Sequence, residues 1–368
     1  MLKDKEGMES NPVIIGAGTI GCYLAKKLSA LNPILIEEHK KIGLPVHCTG
    51  LISKRIFDIA EFPKNIVLNK IRNARIFSPD GNSCVVGGEE RAYVFDRRKL
   101  DEYLSKGLSI LHEKYISHEA GNNYIEIKTS KSKIKTKLMI DCSGASSEVF
   151  GKIKSLVGIQ YVVKMKHMLD EVELHFGDKI CPGFFAWVVP VDEDTCRIGL
   201  ATERNAGSYM KKFYSKFNSK IIEKQAGLIP MGKKNFYSDN LIAVGDSASH
   251  TKKTTGGGVV TGMISADIAS ESIIKSYHSN NFSSNFFRIN YYNRWRKGIG
   301  KEILIHEKIR KSLNKMSDKE YESMVKFLLE NKDLINKHGD MELISSLIPK
   351  LITLKNLPFL LSFFLKAL

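Results

Sequence analysis

The chain has 368 residues, 43% hydrophobic and 26% charged, close to globular averages, and no long polar or repetitive tract marks it as disordered, a solenoid or a coiled coil. That length exceeds one typical core, so two closely packed domains, or one domain with a helical extension, are expected, with room for a large ligand. The formal charge of +16 attracts polyanions, but it is spread as pairs such as Lys26-Lys27, Lys211-Lys212 and Lys252-Lys253. No RNP aromatic pair or Cys/His finger accompanies it. A membrane surface therefore ranks above nucleic acid, and no nucleic-acid partner is expected. The six cysteines stand singly. Without a C-x-x-C pair, neither a metal site nor a disulfide framework is indicated.

Met1 to Ser10 is charged and lacks the apolar core of a signal peptide, which with the unpaired cysteines points to the cytoplasm. Val13-Ile14-Ile15 then reads as a short buried strand running into Gly16-Ala17-Gly18-Thr19-Ile20-Gly21. Ile20, Leu24, Leu28 and Leu31 recur at helical spacing until Asn32-Pro33 stops the helix. Ile34-Leu35-Ile36 is a second strand, ending at Glu37 and Glu38, and completes a βαβ unit. From about Lys70 to Gly88, alternating stretches around Asp80-Gly81 predict an antiparallel hairpin and the start of a second domain. Tyr93-Val94-Phe95, Asp96-Arg97-Arg98 and the helical run Leu100 to Leu104 read as a return to the first domain, completed by Leu138-Met139-Ile140 and Asp141-Cys142-Ser143-Gly144.

Phe184 to Val191 and Thr195 to Ala201, on either side of Asp192-Glu193-Asp194, predict strands of a sheet roofing a ligand. Leu241-Ile242-Ala243-Val244 is another buried strand, leading to Gly245-Asp246, Gly256-Gly257-Gly258 and a helix carrying Val260, Met263, Ile264 and Ile268. Beyond Asn281 helices are expected, one starting at the capping box Ser317-Asp318-Lys319-Glu320. Leu343 to Leu368 is apolar, but Pro349, Lys350, Lys355, Pro358 and Lys366 break it. It lacks the unbroken run of roughly 18 residues a spanning helix needs and suits a segment lying on a membrane.

The expected architecture is α/β, of α+β two-domain type. Residues 11–60, 93–150 and 236–280 form a discontinuous Rossmann-type nucleotide domain; 61–92 and 151–235 form an antiparallel β-sheet substrate domain; 281–368 form a helical C-terminal region.

In the βαβ unit Gly16 permits the tight turn, Gly18, after Ala17, lets a pyrophosphate approach the backbone, and Gly21 lets the helix pack close to the sheet. Glu37, 21 residues after Gly16, stands where a carboxylate accepts adenosine ribose hydroxyls. The alternative is an ordinary βα turn. The distant Asp246 favours FAD over NAD, because an extended FAD needs a second carboxylate at a strand end for its ribitol. Gly256, Gly257 and Gly258 open a helix whose N–H groups approach the flavin pyrimidine edge, where negative charge develops on reduction. As the bland alternative, Asp246 is an N-cap and the glycines a flexible loop.

These motifs, in order, resemble those of the geranylgeranyl reductase family, flavoproteins built like p-hydroxybenzoate hydroxylase, over roughly residues 12 to 280. Gly43-Leu44-Pro45-Val46-His47-Cys48-Thr49-Gly50 looks like the family's G-x-P-x-x-C-x-G segment. Phe95-Asp96-Arg97 with Asp101 is similar to its aspartate–arginine stretch, and Phe185-Ala186-Trp187-Val188-Val189-Pro190 resembles Y-x-W-x-F-P. Gly245-Asp246 and Thr255-Gly256-Gly257-Gly258 correspond to its G-D and T-G-G-G signatures. Phe185 and Val189 replace the usual Tyr and Phe, and Lys253 stands where a proline usually precedes the glycine loop.

The resemblance implies an oxidoreductase acting on CH–CH bonds, with FAD as cofactor, saturating isolated double bonds of isoprenoid chains such as those of archaeal membrane ether lipids. It implies recharging of the flavin by NAD(P)H or a ferredoxin and a peripheral position on the cytoplasmic membrane. Cys48 and Trp187 are the catalytic candidates, Cys48 as proton donor or as a contact to the flavin, Trp187 as part of an apolar channel wall with Phe184, Phe185 and Val189. The cofactor-binding set is Gly16, Ala17, Gly18, Gly21, Glu37, Glu38, Cys48, Arg97, Gly144, Asp246, Gly256, Gly257 and Gly258. The competing readings are a flavin monooxygenase or halogenase, since Trp187 and Pro190 also match part of the halogenase W-x-W-x-I-P pattern, and a membrane-docked electron-transfer flavoprotein.

Overall fold

The structure, a computed structural model, describes residues 11–367. The segment Met1 to Ser10, on which the absence of an export signal was read, and Leu368 lie outside the described residues.

A six-stranded sheet carries the nucleotide half. Its order is Tyr237–Ser238, Leu241–Ala243, Met139–Asp141, Val13–Ile15, Ile34–Glu37, Ser109–His112, all parallel except Tyr237–Ser238. Alternate residues of these short strands point to opposite faces, and both faces are covered. Ile14, Leu35, Ile140 and Ile242 pack with Leu24 and Met263 of the helices Thr19–Lys27 and Val259–Ser279. Val13, Ile15, Ile36 and Met139 pack against Ile125, Ile127 and Ile134. The latter belong to a small antiparallel sheet of Tyr115–Ala120, Ile125–Thr129 and Lys133–Thr136, which the sequence pattern does not anticipate because its outer positions are charged and its strands short. The first helix ends at Lys27 and continues as a 3-10 turn, Ser29–Leu31, before left-handed Asn32 (φ 47°) stops it.

The second sheet has eight strands in the order Lys220–Pro230, Ser155–Lys164, Thr195–Thr202, Ala186–Asp192, Glu171–His175, Val67–Phe77, Ser83–Phe95, Leu51–Ser53. Two features depart from expectation. Tyr93-Val94-Phe95 is not a return to the nucleotide sheet: it is the end of the long strand Ser83–Phe95 and pairs with Leu51–Ser53, and only the helix Arg97–Ser105, capped by Asp96, goes back. The sheet is also not wholly antiparallel, since Glu171–His175 runs parallel to Val67–Phe77; the long excursion between them makes that crossover possible. Helices follow residue 281, with the capping box at Ser317 and Glu320 formed. Leu313, Met316, Tyr321 and Met324 close the core under the eight-stranded sheet. No helix among the described residues is long and apolar enough to cross a membrane.

Candidate functional site

The carboxyl ends of the parallel strands and one face of the eight-stranded sheet enclose a cavity of about 1310 Å³. Open α/β sheets bind ligands at this edge. At one end, Gly16 (φ +95°) makes the turn so tightly that a Cβ there would lie 2.6 Å from the Cys142 carbonyl oxygen. A Cβ on Gly21 would stand 2.0 Å from the Gly16 oxygen, so the helix can seat this close only without one. Gly18 differs: no atom lies within 4 Å of its missing Cβ, leaving space against the helix N-terminus. Glu37 accepts from Ala17 N–H (2.9 Å) and from His39 N–H (2.9 Å), which holds its carboxylate at the cavity wall beside Glu38 and Gly144.

At the other end, Asp246 follows its strand in the 3-10 turn Gly245–Ala248 and accepts from the Thr251 hydroxyl (3.2 Å). Burial pushes its carboxyl above the usual aspartate value, opposed by the Thr251 bond and the cations of Lys253 and Arg97. A Cβ on Gly258 would stand 2.4 Å from Asp246 Oδ1. Gly256, Gly257 and Gly258 line the cavity and lead into the helix Val259–Ser279, whose first N–H groups are free to meet a ligand.

Between the ends lies the loop carrying Cys48. Of the six cysteines, Cys48 alone is not buried, and it lines the cavity; burial pushes Cys22, Cys181 and Cys196 up to about 12. Its Sγ accepts from Gly50 N–H (3.3 Å). Two guanidiniums flank it. Arg97, its side chain 14% exposed, donates to Thr19 and Asp101. Burial alone would lower it, yet Asp101 and the Cys48 sulfur raise it above the ordinary value. Arg197, on the strand Thr195–Thr202, donates to the carbonyls of Thr49 and Phe95, and burial lowers it.

The sheet supplies the apolar part: Phe184, Phe185, Trp187 and Val189 all line the cavity, with Ile76, Val172 and Leu174. Trp187 is fixed by a network. Its indole N–H donates to Gln160 Oε1 (3.0 Å), which also accepts from Thr49 (2.8 Å), while Gln160 donates to Gln225 (2.7 Å). The opposite wall comes from the C-terminal region, through Ile335, Met341, Ile344 and Leu347.

The sequence candidates Gly16, Ala17, Gly18, Glu37, Glu38, Cys48, Arg97, Gly144, Trp187, Asp246 and Gly256 to Gly258 thus share one cavity, whereas Gly21 lies behind it and only packs the helix. Arg197, Gln160, Gln225, Lys252 and Glu342 escape sequence reasoning. Gln160 and Gln225 meet because strand register sets them opposite one another, which no local pattern reveals. Lys252 and Lys253 read as surface charge, but only 4% and 3% of each is exposed. No cluster of potential metal ligands occurs among the described residues.

No family model matches the chain. An uncharacterized protein of Methanocaldococcus jannaschii is 30% identical over 91% of this chain and 92% of its own length. Digeranylgeranylglycerophospholipid reductase 2 of Methanothermobacter thermautotrophicus is 28% identical over 89% of this chain and 93% of its own length. The chain belongs to the geranylgeranyl reductase family. The geranylgeranyl bacteriochlorophyll reductase-like protein of Thermoplasma acidophilum superposes with a TM-score of 0.84 at 19% identity, over 98% of this chain and all of that one. Halogenase PltM, solved in complex with FAD, shares the fold more loosely, with a TM-score of 0.67 at 12% identity over 89% of this chain and 81% of that one. Its likeness carries the α/β architecture, with a parallel sheet, a second sheet and C-terminal helices, and not the chemistry.

Proposed function

We propose that this geranylgeranyl reductase family member is an FAD-dependent oxidoreductase that saturates isolated double bonds of geranylgeranyl chains on membrane ether lipids. The observation carrying it is the continuity of one cavity from the Glu37 turn, past Cys48 and the Gly256 to Gly258 loop, into a channel walled by Trp187, Phe185 and the C-terminal region. The residues fit the cofactor: Gly18 leaves unfilled space for a pyrophosphate, Glu37 and Asp246 offer carboxylates to its two sugar-like parts, and the start of the helix Val259–Ser279, reached through the glycine loop, offers N–H groups to the ring edge.

FAD, when bound, supplies the electron pair as hydride to one alkene carbon; the other carbon takes a proton. Cys48 is placed to hold that proton at Sγ, with Arg97 and Arg197 beside it to stabilise the thiolate left behind until solvent reprotonates it. The phenylalanines and Trp187 exclude water and hold the chain against the ring. The external donor is NAD(P)H or a ferredoxin.

The lipid reaches the channel from a membrane surface. Ile352, Leu354, Leu361 and Leu365 are 58%, 92%, 55% and 63% exposed, they follow directly on the wall residues Ile344 and Leu347, and Lys350 and Lys355 stand among them. Such a surface pairs apolar insertion with attraction to anionic headgroups. Flotation with anionic vesicles tests docking: serine at Leu354, Leu361 and Leu365 abolishes it, and unchanged flotation contradicts it. For the activity, lipids of cells expressing the gene gain two mass units per saturated bond. Unsaturated lipids in those cells, with the protein expressed and yellow, would refute the substrate.

A further inference from the structure

Lys252 and Glu342 form a buried ion pair that neither the nucleotide turn nor the lipid channel requires. Their side chains are 5% and 1% exposed, with Nζ 2.7 Å from Oε1. A pair this deep gains little stability over apolar residues of the same volume, because desolvation offsets the attraction. Its field is the property that an apolar pair lacks.

That field is aimed at the glycine loop. The missing Cβ of Gly257 would stand 3.0 Å from Lys252 Cε and 3.4 Å from Nζ. The loop closes on its own lysine: Lys252 N–H donates to Gly257 O (3.0 Å), and Gly256 N–H donates to Lys252 O (2.8 Å). From the other side Lys252 Nζ donates to Met341 O (3.0 Å) as well as to Glu342.

Lys252 is the one hydrogen-bond partner of the Glu342 carboxylate, whose Oε2 is buried without one, but the segment that carries it is firmly held. Asp340 accepts from the N–H groups of Glu342 (2.8 Å) and Leu343 (2.9 Å) and from Arg55 (2.7 Å), and Arg91 donates to Gly339 O (3.0 Å). Ser345 N–H donates to Glu302 (3.0 Å). Residues 339–345 are therefore a strap, latched by arginines and a glutamate from three other elements, and their one buried anion meets the loop's cation. The positive member touches the loop and the negative member lies behind it.

We propose that Glu342 is a positioning residue: it fixes the Lys252 ammonium against the glycine loop and partly neutralises it, and so sets the reduction potential of the bound flavin. This rests on the flavin reading of the cavity. Reduction places negative charge at the ring edge facing that loop, where a nearby fixed cation stabilises the reduced form. The C-terminal strap is thereby part of the redox site as well as a wall of the lipid channel.

The test is the midpoint potential of the FAD-loaded full-length protein, by anaerobic equilibration with indicator dyes. Glu342→Gln shifts the potential upward and Lys252→Met downward, each changing the preference for reduced over oxidised flavin by roughly tenfold. The double variant Lys252→Met/Glu342→Met lies between the two and below the wild type. It also keeps the inference falsifiable should a single variant leave an unpaired buried charge and fail to fold. Variants that bind FAD with potentials equal to the wild type, or in the opposite order, overturn the inference and leave the flavin reading intact. A wild-type protein that refuses FAD overturns both.

Discussion

Gln160→Leu tests whether the polar network under Trp187 is a designed support for the channel wall. Gln160 is 5% exposed and Trp187 8%. The substitution removes the acceptor of the indole N–H (3.0 Å) and the donor to Gln225 (2.7 Å); the Thr49 hydroxyl, at the cavity surface, can turn to water. Two buried groups left unpaired cost about 1–3 kcal/mol each, and the added apolar carbons return about 1–2 kcal/mol. A net loss near 2 kcal/mol is expected. Trp187→Phe removes the N–H itself, so in the double variant the orphaned indole disappears and the two losses fail to add by about 1 kcal/mol. Urea denaturation of the flavin-free protein, followed by far-ultraviolet circular dichroism, measures all four corners of the cycle, wild type included. Losses that add to within about 0.3 kcal/mol would refute the network.

Gly18→Ala separates nucleotide binding from folding: with nothing near the added methyl, the urea midpoint moves by less than about 0.5 kcal/mol in stability while FAD affinity by fluorescence titration falls at least roughly tenfold. Glu37→Gln weakens the ribose contacts and raises the FAD Kd by about tenfold to a hundredfold, since hydrogen bonds to a charged group contribute about 1.5–3 kcal/mol. The same titration contradicts this if the Kd is unchanged. Glu173 bridges His167 (3.0 Å) and His175 (2.9 Å). Burial alone would raise it, but the two imidazoles hold it at about 2, and the Glu173 bond raises His167. The glutamate's contribution is present above its unfolded value of 4.5 and is lost as pH falls towards 2; the histidine's is full below 6.5 and is lost as pH rises through its raised value. The stability difference between wild type and Glu173→Gln, roughly 2 kcal/mol, is therefore largest between pH 4.5 and 6.5 and shrinks as pH rises through the raised value of His167, as urea midpoints across pH will show.

The nucleotide half was legible because its signals are local. A glycine's turn, a carboxylate at a strand end and a helical repeat each lie within a few residues, and Gly16, Glu37, Asp246 and the glycine loop all reach one cavity. The sheet was legible as strands but not as a layout. Nothing near Tyr93 in sequence says that Ser83–Phe95 runs on without a break to pair with Leu51–Ser53, since pairing depends on a partner some forty residues away. The same limit hid Gln160 opposite Gln225. Lys252 was misleading because composition counts a buried cation and a surface one alike, and its partner Glu342 is 90 residues on.

The most direct test of the central claim is anaerobic. The purified protein, loaded with FAD and reduced with dithionite, is mixed with a geranylgeranylated ether lipid while its visible spectrum is followed. Return of the oxidised-flavin absorption, matched one for one by saturated bonds in the recovered lipid, is the result expected. A spectrum that stays bleached with the lipid bound, or that recovers only when oxygen is admitted, would contradict it and favour the monooxygenase or halogenase chemistry housed by the same fold.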